Sequence, residues 1–283
     1  MIAAEYCAVV FDLDGTLADT ATDIREALVS ALSREGLPPI DVASVRLMIG
    51  GGPKVLVERA LHRLGVPARD DLVDRLAAGF HAEAKHRGNR SSRLFDGAES
   101  TLRQLHRSGV RIGLCSNKPH DLCQQLVRDL GVAAYIDEVL GSSDDRPKKP
   151  DPALLLSVVE RLGVPPGETL YVGDSATDVA TARAAGIPVI LVSYGYTLRN
   201  ATQLGADLFD GVFEVCLHHA LEFRHAFLIL CDPVTGKCAV LNLSEHGAHC
   251  CPGVVVNDTG AADHVTPGRR VTDVLVHLAQ STL

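Results

Sequence analysis

Two apolar rhythms alternate along most of the chain. Short unbroken apolar runs lie at residues 6–11, 110–115, 169–172 and 189–192, with a weaker one at 136–140. Runs this short, ending abruptly in charge or glycine, are the pattern of strands buried on both faces of a parallel sheet. The segments between them carry helical spacing: Leu102 and Leu105 mark one helix, Leu122, Leu126 and Leu130 a second, Leu155, Val158, Val159 and Leu162 a third. Strand and helix in alternation predict an open α/β fold, a Rossmann-like parallel sheet with helices on both faces.

Residues 18–94 break this rhythm and contain no convincing strand. Ile24, Leu28 and Leu32 form one helical stripe, Val57, Ala60, Leu61 and Leu64 a second, Leu72, Leu76 and Phe80 a third. Thr20 with Asp23 three residues on is a candidate capping pair for the first. Gly50-Gly51-Gly52-Pro53 predicts a loop or a helix start. The segment reads as an all-helical insertion between the first and second strands. Further on, residues 226–231 and 238–243 flank Pro233-Val234-Thr235-Gly236 as a hairpin, and Val271, Val274, Leu275 and Leu278 predict a closing helix. The expected organisation is a discontinuous α/β core (1–17 and 95–223), a helical cap (18–94), and a small C-terminal α+β extension (224–283) of unknown role.

Composition narrows the class. The chain has 283 residues, of which 46% are hydrophobic and 22% charged, with 27 basic against 35 acidic side chains and a formal net charge of −8. This is enough apolar material for a substantial core, and the acidic balance argues against a nucleic-acid binder. No run reaches the roughly 18 apolar residues of a membrane span. Glu5, Asp12 and Asp14 interrupt the N-terminal stretch, so it does not read as a secretory signal, and a cytoplasmic location is expected. Cys7 and Cys115, each inside an apolar run, read as small hydrophobes. Five of the eight cysteines, Cys216, Cys231, Cys238, Cys250 and Cys251, fall in the last quarter.

The candidate chemistry collects where strands end, which in open α/β sheets is the edge that binds ligands. The first run delivers Asp12-Leu13-Asp14-Gly15-Thr16. Two carboxylates so close repel each other, a divalent cation relieves this, and hard oxygen ligands beside a phosphate suit Mg²⁺. The second run ends in Ser116-Asn117-Lys118, whose hydroxyl and amide can hydrogen-bond a phosphoryl oxygen. Lys148-Lys149-Pro150-Asp151-Pro152 forms a stiff loop with an ammonium able to neutralise phosphate charge. Gly173-Asp174-Ser175-Ala176-Thr177-Asp178 places Asp174 to complete a metal site, with Asp178 one turn further on supporting it. Each motif alone has a plain reading: an Asp-rich turn, a turn-forming Ser-Asn pair, or a solvated charge cluster with Asp144, Asp145 and Arg146. Their joint occurrence at one sheet edge points to a metal-assisted phosphoryl site.

In this order Asp12-Leu13-Asp14-Gly15-Thr16, Ser116, Lys149 and Gly173-Asp174 with Asp178 resemble the four motifs of the haloacid dehalogenase superfamily of phosphohydrolases, over roughly residues 5–215. Ile49-Gly50-Gly51-Gly52, Leu56-Val57-Glu58-Arg59-Ala60-Leu61, Cys115-Ser116-Asn117-Lys118-Pro119 and Ser193-Tyr194-Gly195-Tyr196 look most like its phosphoglycolate phosphatases. The resemblance implies that Asp12 attacks phosphorus to form an aspartyl phosphate, and that Asp14 first protonates the leaving alkoxide and then activates water. It implies Mg²⁺ held by the Asp12 carboxylate, the Asp14 main-chain carbonyl and Asp174. It also implies phosphoryl binding by Ser116 and Lys149, assisted by Asn117. Lys148 competes for that role, but Lys149 directly precedes Pro150, as in the family pattern. The insertion resembles the family's mobile cap. Its Gly50, Gly51 and Gly52 are expected to bring backbone amides near a substrate carboxylate, with Lys54 either a further charge there or a surface lysine.

The expected partner is a small phosphorylated metabolite, with no nucleic acid and no membrane; a homo-oligomer stays open. Other readings use the same core: a phosphatase or phosphomutase acting on a sugar phosphate, a phosphonoacetaldehyde hydrolase with Lys54 as Schiff-base lysine, or a non-catalytic binding protein. A hydrolytic dehalogenase lacks the second carboxylate that Asp14 supplies. In the extension, Cys231, Cys238, His246, His249, Cys250 and Cys251 are soft ligand types, but their spacing matches no standard zinc knuckle. A metal site there competes with a packing or oligomerisation element.

Overall fold

The computed structural model describes residues 6–143 and 146–196, together with the backbone of short strands between residues 208 and 263. The chain runs through β1 (Ala8–Phe11), β2 (Ala18–Asp19), α1 (Ala21–Arg34), α2 (Val42–Arg46), α3 (Pro53–Arg63), α4 (Asp70–Arg87), β3 (Arg93–Leu94) and α5 (Ala98–Arg107). It continues through β4 (Arg111–Pro119), α6 (His120–Asp129), β5 (Glu138–Ser142), α7 (Ala153–Leu162), β6 (Thr169–Gly173), α8 (Ala176–Ala185), β7 (Val189–Val192) and β8 (Leu208–Asp210).

β1 is apolar at every position because both of its faces are covered. Successive side chains of a strand point to opposite sides. Val9 and Phe11 therefore enter a core shared with α5 and α6, while Ala8 and Val10 enter one shared with α7 and α8. The six-stranded sheet has the order β5-β4-β1-β6-β7-β8 with every pair parallel, as the apolar runs predict. Edge strand β8 carries no comparable signal in the sequence. Phe11 lies level with Leu114 of β4 and Val172 of β6, so the three central strands end together at one edge.

The helices of residues 18–94 close a core of their own. Leu28, Leu32, Val57, Leu61, Leu76 and Phe80 are buried in it, with Leu64 at its margin. Gly52 caps α3 with Pro53 in the first turn, so the Gly-Gly-Gly-Pro break is a helix start. Two expectations for this segment are corrected. It is not free of strand: Ala18 and Asp19 pair antiparallel with Leu94 and Arg93, tying its two ends together in a two-residue ribbon. Nor do Thr20 and Asp23 cap α1. Thr20 Oγ1 donates to Asp14 Oδ1 at 2.7 Å, and Asp23 accepts from the backbone N–H groups of Ser91 and Ser92. The N–H groups of Thr20 and Ala21 instead donate to Tyr196 Oη at 2.7 and 3.1 Å, and Ala21 N–H also to Asp19 Oδ1 at 3.2 Å. A phenol from the loop after β7 thus shares the cap with Asp19. Cys7 is also exposed, at the margin of its apolar run, whereas Cys115 is buried as expected.

Beyond the sheet, β9 (Ala226–Cys231) and β10 (Cys238–Ser244) pair antiparallel, as the hairpin pattern predicts, and β11 (Gly247–Cys250) pairs with β10. The connecting turn, the closing helix and the side chains of the Cys/His group lie outside the described residues. Among the described residues, no helix is long and apolar enough to cross a membrane.

Candidate active site

Because β4, β1 and β6 are adjacent and parallel, their carboxyl ends bring Ser116, Asp12 and Asp174 to one edge. Asp12, Ser116, Asn117, Lys149, Asp174 and Asp178 are all buried there, whereas Lys148 is exposed. The structure therefore distinguishes the two adjacent lysines.

Lys149 is the hub of a buried charge network. Its Nζ lies 2.7 Å from Asp178 Oδ1 and 2.9 Å from Asp12 Oδ1, and donates to Tyr171 Oη at 2.9 Å. Tyr171 Oη in turn donates to Asp178 Oδ1 at 2.9 Å. Asp178 reaches the network from the first turn of α8 through a capping box: Ser175 Oγ accepts from the Asp178 N–H, and Asp178 Oδ2 accepts from the Ser175 N–H at 3.0 Å. Burial alone would raise the Asp178 carboxyl, but Lys149, Ser175 and Tyr171 hold it below the ordinary carboxylate range. Burial pulls the Lys149 ammonium down, and Asp12 and Asp178 more than restore it, so it stays charged.

Asp12 is held differently. Its buried Oδ1 is ion-paired to the Lys149 ammonium and has no further polar partner among the described residues. Burial pushes the carboxyl up to about 6, the Asp178 charge adding to this and Lys149 opposing it. Asp174 is raised well above the ordinary range, first by burial and then by Asp178 and Asp12. Its Oδ2 accepts from the Tyr196 N–H at 2.7 Å. Backbone packs so tightly around it that a Cβ on Gly195 would stand 2.3 Å from Asp174 Cβ, and one on Gly15, at φ +89, 2.5 Å from its Oδ2. Carboxylate oxygens of Asp12, Asp174 and Asp178 lie within 4.8 Å of one another. Both Asp178 oxygens are already committed, so the ligating capacity rests with Asp12 and Asp174. Two desolvated, mutually repelling carboxylates suit a hard divalent cation.

Asp14 is fixed by Thr20 Oγ1 and by Lys118, whose Nζ lies 3.0 and 3.3 Å from its two oxygens. Asn117, expected to bond a phosphoryl oxygen, has both ends of its amide engaged by backbone: Nδ2 donates to Gly50 O and Lys149 O, and Oδ1 accepts from Lys149 N. It clamps the lysine loop to the insertion. Lys54 pairs with Asp74 on the exposed surface of the insertion. Two adjoining hollows open at the edge. One is lined by Asp12, Asp14, Ser116, Asn117 and Lys118 and by Gly50, Gly52 and Pro53. The other, about 400 Å³, is lined by Asp14, Asp174 and Ser175 with Arg46 and Arg59. Tyr171 escapes a reading by motif, and the stretches that hold Thr20, Tyr196 and Lys118 do not reveal the contacts these residues make at the site. Tyr171 gives one signal, a phenol on a strand otherwise apolar between Thr169 and Gly173, and buried phenols need partners.

Known proteins supply the family. A family model of haloacid dehalogenase-like hydrolases matches residues 6–186. A phosphoglycolate phosphatase of Rhodospirillum rubrum is 40% identical over 203 residues, covering 70% of this chain and 84% of that protein. One from Yersinia pseudotuberculosis is 41% identical over 193 residues, covering 68% and 83%. The crystal structure of a predicted phosphoglycolate phosphatase from Haemophilus somnus 129pt superposes with a TM-score of 0.70 at 28% identity, covering 76% of this chain and 98% of that one. The chain belongs to the haloacid dehalogenase-like hydrolases, in their phosphoglycolate phosphatase-like branch, and is a phosphoric monoester hydrolase.

Proposed function

We propose that this chain hydrolyses 2-phosphoglycolate to glycolate and phosphate through an aspartyl phosphate on Asp12, with Mg²⁺ as cofactor. The observation that carries the reaction is the state of Asp12: a buried carboxylate paired, among the described residues, only with the Lys149 ammonium and lining the same hollow as Ser116. The substrate is favoured by the relatives from Rhodospirillum rubrum and Yersinia pseudotuberculosis, both phosphoglycolate phosphatases.

An Asp12 oxygen attacks phosphorus, the ester P–O bond breaks, and Asp14 gives its proton to the departing alkoxide. Asp14 then takes a proton from water, which attacks phosphorus and releases phosphate with the Asp12 carboxylate restored. Ser116 and Lys149 hold the phosphoryl oxygens, and Asn117 serves them by gripping the backbone of Lys149. The Asp12 and Asp174 carboxylates and the Asp14 carbonyl would hold Mg²⁺, which when bound supplies positive charge to the phosphoryl oxygens. Lys149 needs no reorganisation at the moment of reaction, because Asp178 and Tyr171 already fix its ammonium. Residues 18–94 form the cap whose closure excludes bulk water.

The test is phosphate release with Mg²⁺ from 2-phosphoglycolate beside sugar phosphates and an aryl phosphate, with EDTA and Asp12→Asn as controls. Preferred turnover of 2-phosphoglycolate, abolished by both controls, is the expected result. Turnover of the other esters alone would keep the mechanism and remove the substrate.

A further inference from the structure

We propose that Lys118 is a specificity-determining residue, its ammonium receiving the carboxylate of the substrate's leaving group. The inference rests on the phosphoglycolate reading and assigns a cation to the part of the substrate that the phosphoryl site does not touch.

Lys118 sits two residues after Ser116 on the end of β4 and lines the same hollow as Asp12, Asp14 and Ser116. Its side chain is only 9% exposed. A charge so desolvated is retained where it is paired, and here it is paired sparingly. An ammonium has three donors. Among the described residues the Lys118 ammonium bonds the two oxygens of Asp14, one of which also accepts from Thr20. The ammonium therefore keeps donor capacity toward the hollow, at the side where the proton donor for the leaving oxygen stands.

Of the other cations nearby, Lys149 is fixed at the phosphoryl end by Asp12, Asp178 and Tyr171, Arg46 pairs with Asp19 at 2.5 Å, Arg59 donates to Met48 O and Ile49 O, and Lys54 pairs with Asp74; Lys148, exposed beside Gly52, does not line this hollow. The start of helix α3 adds a second feature suited to an anion. The helix is 11 residues long and begins at Gly52 and Pro53, which line the same hollow, so its positive dipole end lies at that space. A phosphate ester bearing a carboxylate one carbon from the ester oxygen thus finds the phosphoryl site at one end. At the other it finds Lys118 with the α3 terminus.

The experiment compares kcat/KM for 2-phosphoglycolate with that for 2-hydroxyethyl phosphate, which carries a neutral hydroxymethyl group in place of the carboxylate. Wild type, Lys118→Met and Lys118→Arg are measured, with thermal melts to verify folding. Wild type is expected to prefer 2-phosphoglycolate. Lys118→Met is expected to lower the ratio of the two kcat/KM values at least tenfold, mainly through KM, and Lys118→Arg to recover part of it. In the Asp12→Asn background, calorimetric binding of 2-phosphoglycolate should weaken by a similar factor when Lys118→Met is added. Equal losses on both substrates, carried by kcat, would overturn the proposal and leave Lys118 only as the holder of Asp14. A wild type that turns over 2-hydroxyethyl phosphate at least as well would instead sink the substrate reading, and the carboxylate anchor with it.

Discussion

Lys149 Nζ lies 2.7 Å from Asp178 Oδ1, and neither side chain is more than 2% exposed. The pair is therefore worth little as a net gain from water, yet costly to break, because removing one partner strands a buried charge. Asp178→Asn keeps the shape and removes the charge. It is expected to destabilise the protein by about 3 kcal/mol and to lower kcat about 100-fold through a misplaced Lys149. Denaturant titration and steady-state kinetics check the two effects.

Metal binding has its own signature in stability. A cation that relieves the repulsion between Asp12 and Asp174 binds the folded state and raises Tm. At a hundredfold excess over Kd the stabilisation is about 2.7 kcal/mol, a shift of several degrees in a protein of this size. Mg²⁺ should raise the Tm of the wild type, EDTA should reverse the rise, and Asp174→Asn should abolish it.

Asp174 has no room to move. Gly195→Ala would place a Cβ 2.3 Å from Asp174 Cβ, which forces the carboxylate away from Asp12. The expected outcome is a loss of activity of about 100-fold with a raised Mg²⁺ requirement, measured by titrating Mg²⁺ in the phosphate-release assay.

Tyr196 joins the site to the insertion, since its N–H holds Asp174 while its hydroxyl accepts from Thr20 and Ala21 and donates to Asp19 at 2.8 Å. Tyr196→Phe removes the cap on the Thr20 N–H and leaves the Ala21 N–H to Asp19 Oδ1 alone. It should cost about 1 kcal/mol of stability, as the loss of an N-cap does, read as a lowered denaturation midpoint.

His120 supplies a pH dependence away from the carboxylate cluster. Its Nδ1 accepts from the Gly141 N–H at 3.3 Å, and burial, followed by the Arg146 charge, lowers its pKa below the ordinary 6.5. The folded state thus favours the neutral ring, while the unfolded chain takes up its proton first as the pH falls. Stability is full above the unfolded value and declines as the pH drops from there toward the folded value. A plot of Tm against pH for His120→Gln should slope less over this interval than the wild type.

Much of the fold was legible because its signals are local. Strands buried on both faces read as unbroken apolar runs, and the helical stripes of the core and of residues 18–94 read at their own spacing. Chain order in a right-handed parallel sheet then brings Asp12, Ser116 and Asp174 to one edge without further information. Those parts of the site were determined by the sequence alone. What only the tertiary structure decided depends on distances between residues far apart in the chain. Between lysines 148 and 149 only the following Pro150 favours Lys149 in the sequence, and packing is what buries it against Asp12 and Asp178. Asn117 spends its amide on backbone at Gly50 and Lys149, and a phenol 175 residues away shares the cap of α1 with Asp19 in place of Thr20 and Asp23. Periodicity records which face of an element is covered. It does not record which polar group from another element arrives to satisfy a buried donor, and that pairing sets the chemistry of this site.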